Sequence, residues 1–147
     1  MLVVYHSQSG SAARLAAASL EGALEHDPKV RFCRAVDTGT PEVLASTGLL
    51  LVCAENSGRL AGAMKDFLDR TFYPLIDHQS TLPYALLVSA GNDGRGAVAE
   101  AQRILKGIPF TEALEPLIIR GVPDEEALQN AREYGAGFAA GLEMGIF

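Results

Sequence analysis

Three times along this chain an unbroken apolar run stops at a loop of small polar residues, and each loop opens onto a helical pattern. The runs are Leu2 to Tyr5, Leu49 to Ala54 and Pro83 to Ala90, and the loops begin at His6, Glu55 and Ser89. Strands read this way, without alternation, when helices cover both faces of a parallel sheet. Strand, loop and helix in succession require right-handed crossovers, so the chain is expected to form an open parallel sheet between two helical layers.

The helical patterns support that arrangement. After the first loop, Ala13, Ala16, Ala17, Leu20, Ala23 and Leu24 fall at helical spacing, with Arg14, Glu21 and Glu25 on the opposite face. After the second, Met64, Phe67, Leu68 and Phe72 share one face, and Lys65, Asp66, Asp69 and Arg70 lie on the exposed side, where Lys65 and Asp69 are spaced to pair. The third loop opens the helix Ala97 to Lys106, and the chain is expected to be irregular around Pro74 and His78.

Val30 to Val36, where Val30 and Phe32 alternate with Arg31 and Arg34 interrupts the pattern, predicts an edge strand, and Pro41 to Ser46 a short helix. Ile108 to Phe110 and Leu117 to Arg120 predict a last strand interrupted by Glu112 to Pro116. Pro123 to Glu126 starts a terminal helix whose stripe is Leu128, Ala131, Gly135, Phe138 and Leu142; its glycines at 135, 137 and 141 predict close packing on the sheet. The expected architecture is α/β, a doubly wound three-layer sandwich around a five-stranded parallel sheet in order 2-1-3-4-5, as one domain over residues 1–147.

In such a sheet the ligand crevice lies beyond the carboxyl ends of the strands, between the first and third, where the three loops converge. The loop Ser7-Gln8-Ser9-Gly10-Ser11 has backbone N–H groups at a helix N-terminus, three hydroxyls, and a glycine that permits a tight turn, which together suit a phosphate. An ordinary strand-helix turn with a serine cap is the alternative reading of the same residues.

Composition narrows the function. A net charge of −6 with no basic run argues against nucleic acid, and no run approaches the roughly 18 apolar residues of a membrane span. With no export pattern ahead of the first strand, a cytoplasmic location is expected. Cys33 and Cys53 have neither the spacing of a zinc site nor that of a redox pair, and are expected to be buried thiols. His6, His26 and His78 are widely separated, no Ser-His-Asp or Cys-His arrangement is readable, and neither a catalytic dyad nor a metal site is expected. His6 is expected to pack or hydrogen-bond at the end of the first strand. Arg59, in the second loop, is a candidate contact for a reduced ring or a cofactor phosphate, or simply an exposed loop arginine.

Three segments resemble the flavodoxin-like family of FMN-binding, NAD(P)H-dependent oxidoreductases, which includes FMN reductases and quinone reductases related to the tryptophan-repressor-binding protein. Ser7-Gln8-Ser9-Gly10-Ser11 is similar to the family's S/T-x-T-G-x-T loop. Ala54-Glu55-Asn56-Ser57-Gly58 to Gly62-Ala63-Met64-Lys65-Asp66-Phe67-Leu68-Asp69 is similar to its P-x-x-x-G-x-x-x-G-x-(M/L)-K-x-F-L-D pattern, and Gly91-Asn92-Asp93-Gly94 falls where its last flavin-contacting loop does. The resemblance implies a flavodoxin-like fold with FMN as cofactor. Ser7, Gln8, Ser9, Gly10 and Ser11 would hold its phosphate; Glu55, Asn56, Ser57 and Gly58 would run along one ring edge, and Ser89, Gly91, Asn92, Asp93 and Gly94 would bound the other. It further implies NAD(P)H as electron donor and a quinone, or another small-molecule or protein acceptor, as partner.

Ala12 replaces the final hydroxyl of the family's first loop, and Ala54 the proline that often begins the second. The chain has no tryptophan, and neither Glu55 to Leu60 nor Ser89 to Gly96 contains an aromatic residue, so a bound ring would keep an open face. An oxidoreductase of this kind, a flavodoxin-type electron carrier and a flavin-free interaction module are the three readings that stand. Family members often form homo-oligomers, in which Phe72, Tyr73 or Phe147 of a neighbouring copy would cover the ring.

Overall fold

The three apolar runs lie side by side at the centre of one sheet. The computed structural model describes residues 1–147. In chain order the elements are β1 (Leu2–Tyr5), α1 (Ser11–Ala23), β2 (Arg31–Arg34), a 3-10 turn (Ala35–Asp37), α2 (Thr40–Leu44), β3 (Leu49–Asn56), β4 (Arg59–Leu60), α3 (Gly62–Asp77), β5 (Pro83–Ala90), α4 (Arg95–Gly107), β6 (Thr111–Glu112), β7 (Leu117–Arg120) and α5 (Glu125–Glu143). Parallel pairing runs β2-β1-β3-β5, with Leu2 opposite Leu49 and Leu49 opposite Tyr84. Both β6 and β7 then pair with the free edge of β5, so the two pieces share the fifth position of the order expected from the sequence.

Period-two alternation sends successive residues of β3 into different layers. Leu49, Leu51 and Cys53 join Met64, Phe67, Ala101 and Leu105 under α3 and α4. Leu50 and Val52 join Leu15, Ala16 and Phe138 under α1 and α5. Removing each such Leu or Val from water contributes about 1.5–3 kcal/mol, which is why the unbroken runs occupy the centre. Burial also pushes the Cys53 thiol up to about 12, whereas Cys33 is only half-buried against the same core.

Besides the second strand, which ends at Arg34 where the 3-10 turn takes over, and the short helix, which spans Thr40–Leu44, four details differ from the sequence expectation. The interruption of the last strand falls later: Ile108 to Phe110 is not strand, and the first piece is Thr111–Glu112. In the gap between β6 and β7 the Tyr134 hydroxyl accepts from the Leu86 amide (3.3 Å) and donates its one hydrogen to the carbonyl of Glu115 (2.9 Å), with that of Leu86 (3.2 Å) as the alternative acceptor. A side chain from α5 thus satisfies backbone groups that an unbroken strand would have paired.

Second, α3 runs through Pro74 to Asp77 rather than breaking there. Its buried face, Phe67, Leu68, Thr71 and Leu75, continues across the proline, and this packing outweighs the lost hydrogen bond. On the same helix Lys65 pairs with Asp69 at 2.6 Å as expected, but Arg70 does more than decorate a wet face: it donates to the carbonyls of Ala35 and Thr38, clamping the 3-10 turn.

Third, the buried face of α1 is Ala12, Leu15, Ala16, Ala18, Ser19, Gly22 and Ala23, leaving Ala17 and Leu24 exposed. The fourth difference explains the third. Of the α5 glycines only Gly135 makes a close helix contact, and it is with α1 rather than the sheet: a Cβ there would sit 2.0 Å from the Ser19 carbonyl oxygen, and one at Gly22 of α1 2.0 Å from that of Arg132. Gly141 is covered by Phe147 and Gly137 faces open space. Glu21, expected to be solvated, pairs with Arg132 across the two helices at 2.6 Å.

Candidate functional site

β1, β3, β5 and β7 all point their carboxyl ends to one side of the molecule, and the loops that follow them meet there. Gly10 caps α1 with φ 97°, the left-handed region that glycine enters without a Cβ penalty. The intrahelical ladder starts at the Arg14 amide, which donates to the Gly10 carbonyl at 3.0 Å. The amides of Ser11, Ala12 and Ala13 therefore have no partner, no side chain caps them, and no acidic residue stands in the first turn. The space where a Gly10 Cβ would project is empty to beyond 4 Å. Unpaired donors at the positive end of a helix dipole, beside a cleft that Ser11 lines, are the chemistry of an anion cradle.

The expected loop residues divide into two groups. Ser9 and Ser11 line a cleft of about 280 Å³ together with Ala54, Glu55, Asn56, Ser89, Gly91, Gly121 and Val122. Ser7 and Gln8 instead hold the loop in shape: the Ser7 hydroxyl accepts from the Gly10 amide at 3.1 Å, and the Gln8 side-chain carbonyl accepts from the Asn56 amide group at 3.1 Å.

The second loop is not a loose segment. β3 continues to Asn56 and turns at Ser57 (φ 51°) and Gly58 (φ 73°) into β4, pairing Glu55 with Leu60 and Asn56 with Arg59. Two successive positive φ values are the mark of a two-residue type I′ hairpin. The hairpin leans on α4. Glu100 accepts from the Leu60 amide at 2.9 Å, and a Cβ at Gly96 would lie 2.1 Å from the Gly58 carbonyl oxygen. Glu55 reaches across to accept from the Gly94 amide at 2.8 Å, so the N-terminus of α4 already holds a carboxylate of this chain.

In the third segment, Ser89 and Ala90 belong to β5 rather than to the loop, and Ser89 is buried. Gly91 and Asn92 are exposed, and Asp93 pairs with Arg95 at 2.7 Å. With Glu55, Ser57, Gly58 and Gly96, the residues Gly91, Asn92 and Asp93 line a second cleft of about 400 Å³ that has no apolar side chain in its wall. Both clefts share Glu55 and Gly91, so they adjoin, and their sizes suit a small planar ligand.

Gly121 and Val122, after β7, complete the first cleft and were not among the expected residues. The same strand-end rule would have found them had the split last strand been read as part of the crevice. The histidines stay apart. His6 follows β1 beside the cradle, with its pKa lowered by partial burial and by repulsion from Arg34; His26 pairs with Glu143 at 3.2 Å, and His78 ends α3. Arg14 is exposed and has no ion-pair partner. Tyr73 lies in the second half of α3, a helix that starts at the crevice, and Phe147 stacks on Phe138 near the far end of α5. No helix is long and apolar enough to cross a membrane.

The sequence matches no family model and no curated protein. Its structure is similar to a flavodoxin from the domain Archaea, with a TM-score of 0.82 and 19% identity over 97% of each chain. It is similar to the flavodoxin, WrbA-like protein from Agrobacterium tumefaciens, with a TM-score of 0.82 and 16% identity over 97% of this chain and 96% of that one. A flavodiiron core from Synechocystis matches with a TM-score of 0.82 and 18% identity over 98% of this chain but only 36% of its own. Identities this low speak for architecture alone, and the architecture of this chain is flavodoxin-like.

Proposed function

We propose that the crevice binds FMN and that the protein is an NAD(P)H-dependent oxidoreductase passing electrons to a quinone or similar acceptor. One observation carries the reading: the amides of Ser11, Ala12 and Ala13 have no partner, no acidic residue stands in their turn, and Ser9 and Ser11 line the adjoining cleft, an arrangement suited to a phosphate monoester. The likeness to solved flavodoxins supports a flavin as the body of that ester.

The residues fit this ligand in distinct ways. The cradle and the Ser9 and Ser11 hydroxyls receive the phosphate, while the Ser7 and Gln8 side chains keep the loop in its receiving shape. The hairpin Glu55 to Gly58 and the segment Gly91 to Gly94 offer backbone groups along the adjoining cleft. The hairpin is braced on α4, so it presents them in a fixed position. When bound, FMN supplies the hydride and electron chemistry. No aromatic side chain stands in either ring-side segment, which leaves a face for a donor or acceptor.

An electron carrier is the second reading, favoured by the match in length to free-standing flavodoxins, 97% of each chain for the archaeal one. Incubation with FMN, desalting and a visible spectrum test the common part: retained flavin absorbance is expected. Steady-state NAD(P)H oxidation with a quinone then separates the readings, because a carrier turns over only with partner proteins. A protein emerging colourless from the desalting column would sink both. Solution mass tests the accompanying proposal that Tyr73, Phe72 or Phe147 serves a neighbouring copy, which a strictly monomeric species would remove.

A further inference from the structure

We infer that the protein has a second anion-binding site, a cleft between Arg59 and Arg103 that takes a phosphate dianion or diphosphate of the molecule that meets the ring. The inference rests on the proposed function for what that molecule is, but the site stands on its own geometry. The cleft measures about 490 Å³ and is walled by Gly58 and Arg59 of the hairpin and by Gly96, Ala99, Glu100 and Arg103 of α4. It shares Gly58 and Gly96 with the ring-side cleft, so the two adjoin across the contact between those residues, and an extended molecule reaching from one to the other passes over that contact.

Its charges are the argument. Asp93 pairs with Arg95, and Glu55 accepts from the Gly94 amide in the adjoining cleft; Glu100 lies in this wall and keeps its charge while accepting from the Leu60 amide, so the two arginines leave the wall net positive. Arg59 and Arg103 make no ion pair and no side-chain hydrogen bond, although both line the same concavity in a chain of net charge −6. Two guanidiniums with all their donors free match the geometry of phosphate oxygens. The site is separate from the α1 cradle, which lies across the crevice and uses backbone amides.

The test is titration calorimetry of the whole chain with inorganic pyrophosphate, NADPH and NADH, using Arg59→Ala, Arg103→Ala and the double variant. Each is repeated on a Ser11→Glu background, whose cradle carries its own carboxylate. Blocking the cradle separates the two sites: loss of FMN retention reports on the proposed function, while anion binding in the Ser11→Glu chain reports on this cleft alone. Each single arginine loss is expected to weaken binding by about tenfold, and Lys106→Ala, the same charge change at the far end of α4, by far less. A preference for NADPH over NADH that disappears in the double variant assigns the cleft to the 2′-phosphate; equal weakening of both assigns it to the diphosphate. Binding unchanged in the double variant, or none by the Ser11→Glu chain at millimolar ligand, overturns the inference.

Discussion

The N-termini of α1 and α4 begin alike and end up in opposite conditions. Each follows a buried parallel strand, each is capped by a left-handed glycine, Gly10 with φ 97° and Gly94 with φ 84°, and neither has a side-chain cap. At α4 the neighbouring hairpin has moved in: Glu55 accepts from the Gly94 amide, and the Gly58 carbonyl lies against Gly96. At α1 nothing has. A strand-end helix is therefore not a ligand site by position alone; it becomes one where the protein withholds its own anion and leaves space. The carboxylate at the α4 terminus also braces the hairpin, whose Asn56 touches Gln8 of the first loop.

The sharpest way to break this contrast is to give α1 what α4 already has. Ser11→Glu places a carboxylate in the first turn of α1, where it favours the helix dipole and leaves the fold at least as stable. FMN affinity should nonetheless fall about a hundredfold, roughly 2.7 kcal/mol, because the phosphate meets an anion already in place. Gly10→Asp should remove binding too, but with added backbone strain at φ 97°. Flavin fluorescence titration beside thermal melts distinguishes the two: unchanged affinity in Ser11→Glu would show that the open cradle is not where the cofactor binds.

Space is the next contrast. Gly96→Ala drives a methyl to 2.1 Å from a backbone carbonyl, and a cost of about 3 kcal/mol is expected, at the upper end for overpacking because backbone cannot rotate away. Gly10→Ala meets no atom within 4 Å and should cost about 1–2 kcal/mol from its left-handed backbone alone. Urea unfolding of the pair checks the order, and equal midpoints would mean that the hairpin does not rest on α4 in solution. Glu55→Ala sharpens the same point at smaller scale: removing the acceptor from the Gly94 amide should cost about 1–2 kcal/mol and loosen the hairpin. Faster amide exchange confined to Asn56 to Leu60 is the expected signature.

The contrast also marks where the sequence was legible. Unbroken runs such as Leu49 to Cys53 can be buried in few ways, so sheet order and the meeting of the loops followed from pattern and handedness. The position of the first loop was legible for the same reason, since it is set by topology and its residues are contiguous. The hairpin was not. Its strands run through polar Glu55, Asn56 and Arg59, so the apolar signal stops at Ala54, and the closing pair Ser57-Gly58 was the one cue to the turn. The buried face of α1 was ambiguous because small residues surround that helix, and only the approach of Gly135 and Gly22 decides which side is covered. In the proposed anion cleft the partners come from β4 and α4, which no local spacing connects.

The smallest effect concerns protons, and here too the two termini differ, since a histidine stands beside α1 and none beside α4. Partial burial first, and then the Arg34 charge, hold His6 below the ordinary histidine value of 6.5, so the folded chain takes up that proton less readily than the unfolded one. Stability from this source is complete above the unfolded value and is lost as pH falls from about 6.5 toward the lowered folded value. His6→Asn should flatten the dependence of unfolding free energy on pH in that window and leave the pH 8 value nearly unchanged. Because a bound phosphate would favour the protonated ring nearby, FMN should narrow the difference between wild type and variant. Denaturation at pH 8 and pH 5.5, with and without FMN, measures both: a pH slope insensitive to FMN would place His6 out of reach of the cradle's anion and leave it as a packing residue at the end of β1.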